Sequence, residues 1–492
     1  MKKTLALILA LLTAITTLVS CANSSETTVE ESDTAATTEA ETKEYYYGDL
    51  PQDKDYEGYT FTIMAPWPTE WGVDSYDRAE TTGDTINDAI YYRNAEVEEM
   101  YNVKIATVEA GDTGTQAQKL QPIVMAGDNS IDMVAVGYYQ SAVPLITNNL
   151  LTTWNDVPYI NYEKDWWNHN ITDTLTLNGR IYLLVGDINW FTMPETMVCY
   201  FNKQVATDNK VGDMYQIVND GDWTFDKLYT TASAISNDVN GDGKWTDADQ
   251  YGCIQNTICG ITGFMYAADQ YTVVKGDTAA EMHFTDEKTV AICEYVYKLC
   301  CENNISYVEA FDFSTNSKGI KIFFDNRALY YFDVLMFAQD FRAEDSDFGI
   351  IPYPKYDEAQ KNYTTYCNQW GLSCALPITT PDKERSGIII EALSAASRKY
   401  IVPAYYDKVL TGKLIRDNES EKMLDIIFGS QIFDFGLSYC TNLDFIPLKS
   451  LIESKKSDIV TWYAKREKKI TKNFTDLYDY ILGKGAADTA AQ

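Results

Sequence analysis

Tyr59-Thr60-Phe61-Thr62-Ile63-Met64 alternates apolar and β-branched residues, the pattern of a short strand, and it opens a rhythm that sets the fold class. The run breaks at Ala65-Pro66-Trp67-Pro68. Asp84 then stands where a helix N-cap belongs, and Ile86, Ala89, Ile90, Val97 and Met100 recur at helical spacing over Thr85 to Tyr101. Val103 to Val108 reads as a second strand and Gln116 to Met125 as a second helix. Ile131-Asp132-Met133-Val134-Ala135-Val136 reads as a buried strand ending in Gly137-Tyr138-Tyr139. Strand, helix, strand, helix, strand predicts a parallel sheet covered by helices, and so an α/β protein.

Outward from that core the same signals continue. Strands are predicted at Ile181 to Val185, Met197 to Lys203, Ala328 to Phe332, Phe348 to Ile351 and Leu372 to Leu376. Helices are predicted from Asp222-Trp223-Thr224 to Ser236, and over Lys288 to Cys301, Ile388 to Arg398, Ala404 to Leu410 and Glu419 to Phe428. A chain of 492 residues exceeds one compact core, so two lobes are expected.

The N-terminus reads differently. Met1-Lys2-Lys3 and the uncharged run Thr4 to Val19 have the form of a signal peptide over residues 1–20, shorter than the roughly 20 residues of a spanning helix. Leu18-Val19-Ser20-Cys21 resembles the lipobox of bacterial lipoproteins. That resemblance implies a diacylglycerol on the Cys21 sulfur and a body held at the outer face of the cytoplasmic membrane by lipid alone. Residues 21–57 are rich in Thr, Ser, Ala and Glu, too polar to offset chain entropy, and are expected to form a disordered tether. Residues 485–492 read as a frayed tail.

The net charge of −32 argues against nucleic acid and anionic lipid as partners. With His169 and His283 the sole histidines, little is left for His-based catalysis or a zinc site. No Gly-x-Ser-x-Gly elbow and no phosphate loop occurs. A glycosidase needs two carboxylates, so a secreted carbohydrate-active enzyme stays open as an alternative, as does a surface carbohydrate-binding adhesin. Besides Cys21 there are Cys199, Cys253, Cys259, Cys293, Cys300, Cys301, Cys367, Cys374 and Cys440, an odd set that cannot pair completely. Buried free thiols are the favoured reading, with Cys253–Cys259 or Cys367–Cys374 left open as a disulfide.

Asp238-Val239-Asn240-Gly241-Asp242-Gly243-Lys244 running to Asp249 has the layout of a calcium loop. Asp238, Asn240 and Asp242 would supply side-chain oxygens, Lys244 its carbonyl, and Asp249 the closing carboxylate. Gly243 permits the sharp turn. Asp rather than Glu in the closing place shortens the bidentate reach, and an Asp/Asn/Gly surface loop without metal is the alternative.

Several stretches together resemble the extracellular solute-binding lipoproteins of ABC importers, in the sugar-binding branch. They are the lipobox at Cys21, Val157-Pro158-Tyr159 with Trp166-Trp167-Asn168, Ile181-Tyr182 leading to Gly186-Asp187, and Phe201-Asn202-Lys203. To these are added Asp222-Trp223-Thr224 running to Gln250-Tyr251-Gly252, and Arg416-Asp417. The resemblance implies a two-lobed periplasmic-binding-protein-like fold of type II, two α/β lobes joined by a hinge and closing on a ligand. It places 58–192 and 311–366 in the N-terminal lobe and 193–310 and 367–484 in the C-terminal lobe, with crossings near Trp190 to Tyr200, Phe311 and Tyr366. It also implies a monomer that hands a sugar or oligosaccharide to a permease, with calcium as a structural staple.

Sugars present hydroxyls and flat CH faces, so their sites need aromatic rings and planar polar groups. At the predicted strand ends these are Trp67 and Trp71, Tyr138 and Tyr139, Asp187, Asn189 and Trp190, and Asn368 with Trp370. Trp154, Trp166, Trp167 and Trp223 are assigned to packing.

Overall fold

The computed structural model describes residues 45–69, 72–310, 317–341, 344–368, 370–410, 419–441 and 446–484. The chain divides into a unit ending at Gly48 and a body beginning at Asp49. In the first unit the described residues include Tyr45 and Tyr46, whose rings meet edge-on with centroids 4.8 Å apart. Cys21, most of the expected tether and the tail lie outside the described residues.

The body is built on two five-stranded sheets. In the first, β1 (Tyr59–Ala65), β2 (Val103–Glu109) and β3 (Met133–Gly137) run parallel. Helix α1 (Thr85–Tyr101) joins β1 to β2, and α2 (Gln116–Met125) joins β2 to β3. Asp84 caps α1 as the sequence predicts, its carboxylate accepting the N–H of Ile86 and Asn87, both at 3.0 Å. After β3 come helix α3 (Tyr138–Thr147) and the short β4 (Leu151–Thr152).

The second sheet begins with β5 (Met197–Asn202). Helix α4 (Phe225–Ile235) then leads to β6 (Tyr251–Asn256) and α5 (Cys259–Ala267). A small hairpin of β7 (Val273–Val274) and β8 (Glu281–Met282) precedes α6 (Glu287–Cys301) and β9 (Ser306–Glu309). Helix α7 (Lys318–Phe324), β10 (Ala328–Val334) and β11 (Phe348–Ile351) complete it, in the order β11-β5-β10-β6-β9. Strands β6 and β10 are buried along their whole length, which is why β10 reads as a near-continuous apolar run rather than an alternating one.

The chain then returns. Strand β12 (Thr365–Tyr366) leads to β13 (Leu372–Pro377), which pairs antiparallel with β3 and β4 in the first sheet. Helix α8 (Lys383–Leu410) packs along α1, with Lys399 Nζ 2.9 Å from Glu96. Helix α9 (Glu419–Gly429) lies against β11, and β14 (Gln431–Ile432) pairs with β12.

Four expectations differ from the structure. Strands β10 and β11, expected in the N-terminal lobe, pair within the second sheet; β13 and α8, expected in the C-terminal lobe, belong to the first. Strand order is set by long-range pairing that local patterns do not encode. Ile181 to Val185 is extended but makes a single bridge, Leu184 to Cys374, because its other backbone groups are taken by loops: the Trp154 N–H donates to Ile181 O and the Asn168 N–H to Val185 O. Order begins before Glu57, for Leu50 is buried and the Tyr56 N–H donates to Tyr101 O at 2.9 Å. The helices expected on either side of Pro403 are one helix that carries the proline inside it.

The core is rich in aromatic side chains. Trp154, Trp166 and Trp223 are among the largest fully buried side chains, and Trp167 is buried beside them. The nine described cysteines are free, all buried but Cys301. No helix among the described residues is long and apolar enough to cross a membrane.

Candidate functional site

The two sheets are joined end to end. Residues 192–196 run from the short helix Asp187–Thr192 into the N-terminal end of β5, beside the C-terminal end of β10, where Val334 pairs with Met197. Residues 367, 368, 370 and 371 lead back to the N-terminal end of β13, beside the C-terminal end of β3, where Leu372 pairs with Gly137. An antiparallel bridge between Thr196 and Cys367 ties the two crossings together. The carboxyl ends of the parallel strands in both sheets therefore meet at this junction, the place where open α/β sheets hold ligands.

On the first lobe, four segments converge there. Trp67 follows β1 with φ 50°, fixed by its N–H donating to Gly111 O at 2.8 Å and its carbonyl accepting from Val73 at 3.1 Å. The loop folds back so tightly that a Cβ on Gly72 would sit 1.5 Å from Pro66 O, so glycine is required. Gly114 follows β2 and lies against the Gln140 side chain from the first turn of α3. Trp370, just before β13, brings its ring to 6.1 Å from that of Trp67, with planes at 49°. Both tryptophans are partly exposed.

The second lobe offers the partly exposed Ile258 after β6 and Met336 after β10, with the buried Thr257 beneath them. Asn256 shapes this wall: its Oδ1 accepts the N–H of Ile258, Cys259 and Gly260 at 3.1, 2.7 and 3.1 Å, which starts α5. Sequence reasoning missed these residues. The one signal was the polar Gln255-Asn256-Thr257 closing an apolar strand.

The predicted ligand residues divide. Trp67 and Trp370 come together at the junction. Trp71 lies outside the described residues, and of Tyr138 and Tyr139 the structure gives the backbone alone, at the start of α3. Asn189, Trp190 and Asn368 are at most 4% exposed and present no free surface. Asn189 holds the helix Asp187–Thr192 in place: its Oδ1 accepts from the Gly186 N–H at 3.3 Å and its Nδ2 donates to the Tyr76 hydroxyl at 2.9 Å. Trp190 packs edge-on against Phe191 and near Tyr405. Asn368 donates to Glu195 between the crossings at 3.0 Å.

Asp187 lies elsewhere. Its carboxylate pairs with Arg398 Nε at 2.7 Å, in a cavity of about 410 Å³ also lined by Trp167, Tyr406, Asp425 and Phe428. Burial lifts its acid to about 7 against the pull of Arg398.

Neither histidine is at the junction: His169 opens the helix His169–Leu175, and His283 bonds Asp286 at 2.7 Å beside β8. The Asp238–Asp249 loop forms a set of tight turns. Asp238 accepts from Gly241 and Gly243, both at 2.8 Å, Asn240 from Asp242 at 2.9 Å, and Asp242 from Lys244 at 2.7 Å. Asp249, fully buried, accepts from Val239 at 3.1 Å and Thr246 at 2.7 Å. Among the described residues no group of three or more His, Cys, Asp or Glu side chains is gathered to hold a metal ion. The donor chemistry is that of a calcium site; of the about four acceptor positions of a carboxylate, these bonds use two on Asp238, one on Asp242 and, with the Thr246 hydroxyl, three on Asp249.

A two-sheet body hinged at facing strand ends defines a substrate-binding protein of the periplasmic type. The sequence agrees: residues 94–398 match the family model of the bacterial extracellular solute-binding protein, and the chain belongs to that family, whose members bind rather than transform. No curated protein sequence matches significantly. Among solved structures, a cyclic α-maltosyl-1,6-maltose binding protein from Arthrobacter globiformis is similar at 11% identity and TM-score 0.56, covering 86% of this chain and 99% of that one. UspC of M. tuberculosis is similar at 12% identity and TM-score 0.56, covering 84% and 100%. An ABC transporter solute-binding protein from Thermotoga lettingae, bound with α-D-tagatose, is similar at 15% identity and TM-score 0.52, covering 86% and 100%. At these identities the likeness establishes the fold.

Proposed function

We propose that the protein captures a sugar or oligosaccharide outside the cell, in the cleft at the lobe junction, and delivers it unaltered to the permease of an ABC importer. The observation that carries this reading is the Trp67–Trp370 pair, two partly exposed rings 6.1 Å apart at the carboxyl end of the first sheet. Indole faces stack on the CH faces of pyranose rings, and hinge closure would bring the second wall, Ile258 and Met336, over the bound solute. The sugar-binding proteins of the same fold support the choice of ligand class. The test is calorimetric titration with maltotriose, maltotetraose and a monosaccharide panel, with chromatography of the recovered ligand. Binding without turnover supports the reading; product formation, or no saccharide binding, overturns it.

The signal-like N-terminus and the Leu18–Cys21 stretch support a lipid anchor on Cys21. We also propose calcium as a stabilising ion in the loop from Asp238 to Asp249, held by Asp238, Asn240, Asp242, the Lys244 carbonyl and Asp249. The support is the spacing of oxygen donors and the positive φ of Gly243, +75°, at the turn. Calcium there would tie the end of α4 to the start of β6, away from the cleft.

A further inference from the structure

The two crossings are fastened by a buried contact between Glu195 and Asn368. Glu195, on the outgoing crossing, is 1% exposed, and Asn368, on the returning crossing, is 2% exposed. The Asn368 N–H donates to Glu195 O at 2.9 Å, and its Nδ2 donates to Glu195 Oε2 at 3.0 Å and to Cys259 Sγ at 3.3 Å. Among the described residues Asn368 is the one hydrogen-bond donor to the Glu195 carboxylate, and no Lys, Arg or His pairs with it.

The groups facing Glu195 offer no positive charge. They are Asp333 at the end of β10, Cys259 at the start of α5, and Tyr405 on α8. Asp333 has its own donors, from the Val334 N–H, the Tyr331 hydroxyl and Asn256 Nδ2 at 2.8, 2.9 and 2.8 Å. A buried carboxylate with one amide donor and a second acid nearby is costly to ionise, so the geometry favours the neutral acid.

We infer that Glu195 and Asn368 form a proton-dependent latch in the hinge: the neutral pair packs dry between the crossings, and ionised Glu195, although it accepts the Asn368 amide more strongly, is a buried charge with a single side-chain donor and loosens the crossings by drawing water between them. Glu195 is thus a positioning residue, acting on solute through the lobe angle rather than by contact. Burial lifts its acid to about 8, so the latch weakens as the medium turns alkaline. This rests on the solute-capture reading only where affinity is concerned; the hinge itself can be measured without any ligand.

The test therefore starts with ligand-free protein. Spin labels are carried on a keto-bearing unnatural amino acid, since the native cysteines are free, at exposed Glu99 on α1 and Ala234 on α4, one on each lobe. Electron-electron resonance at about pH 6 and about pH 9.5, on either side of the titration, should show the interlobe distances shifting and broadening at the higher pH. Glu195→Gln, which cannot ionise, should hold the same distribution at both. Unchanged wild-type distances overturn the latch, whether or not the variant folds. So does a shift that persists in Glu195→Gln, or one abolished by Asp333→Asn in its place. Maltotetraose titrations then read the consequence: affinity about fivefold or more weaker at the higher pH in the wild type, and flat in Glu195→Gln. If no saccharide binds at any pH, the ligand reading fails while the distance measurement still decides the latch.

Discussion

Trp67 and Trp370 meet with ring centroids 6.1 Å apart, although one follows the first strand of the body and the other precedes its last strand in that sheet. Their proximity is a product of β13 returning to lie beside β3. It places two partly exposed indoles side by side at the lobe junction.

Trp67→Ala and Trp370→Ala should each weaken oligosaccharide binding by about tenfold, since a ring stack contributes about 0.5–1.5 kcal/mol beyond area burial. Both rings are partly exposed, so the melting temperature should change little. Calorimetry checks the first statement and thermal melts the second. Trp190→Phe, a change inside the core, should leave saccharide affinity within about twofold, because Trp190 is 4% exposed and packs on Phe191 and Tyr405.

Stability should be greatest on the acid side of neutral. Burial raises the acids of Glu391, Asp333 and Asp434 to about 7 and that of Glu195 to about 8. In the unfolded chain these groups ionise near pH 4–4.5. Between those limits the native state holds more protons, so their contribution is fully present below the unfolded values and is lost as pH rises towards 7–8. Melting temperatures measured from about pH 5 to about pH 8 should fall, and Glu391→Gln should flatten part of the decline.

Glu391 also joins the first lobe's aromatic wall to α8. Its two carboxylate oxygens accept the indole N–H of Trp166 and of Trp167, both at 2.9 Å, and one accepts the Asn161 N–H at 3.2 Å. Glu391→Ala would orphan two buried indole donors, at a cost of about 1–3 kcal/mol each. Urea denaturation should show a loss of about 2–6 kcal/mol, more than Glu391→Gln, which keeps an acceptor.

Calcium added to chelator-treated protein should raise the melting temperature, and Asp238→Ala should abolish that rise without changing saccharide affinity. Titration calorimetry with calcium alone gives the stoichiometry. An unchanged melting temperature with no binding heat would leave the loop as a set of Asp/Asn/Gly turns.

For the anchor, wild-type protein expressed in a bacterium should partition into the detergent phase of a cloud-point extraction. Cys21→Ser should move it to the aqueous phase. Equal partitioning of the two would refute lipidation.

Local physics was legible in this chain, and long-range pairing was not. The Asp84 cap, the helical spacing from Ile86 to Met100 and the buried runs of β3 and β10 are set by short-range sterics and by hydrophobic periods, so a sequence states them directly. The same holds for the acidic charge and the Asp/Gly turns after α4. Tertiary structure alone decided that β10 and β11 belong to the second sheet and that β13 returns to the first, because pairing partners far apart in the chain are chosen by the whole core. It likewise turned Asn189, Trp190 and Asn368 inward while leaving Trp67 and Trp370 partly exposed. A residue type says what a side chain can bond; burial, which is a property of the assembled fold, decides whether a ligand or a neighbouring strand receives the bond.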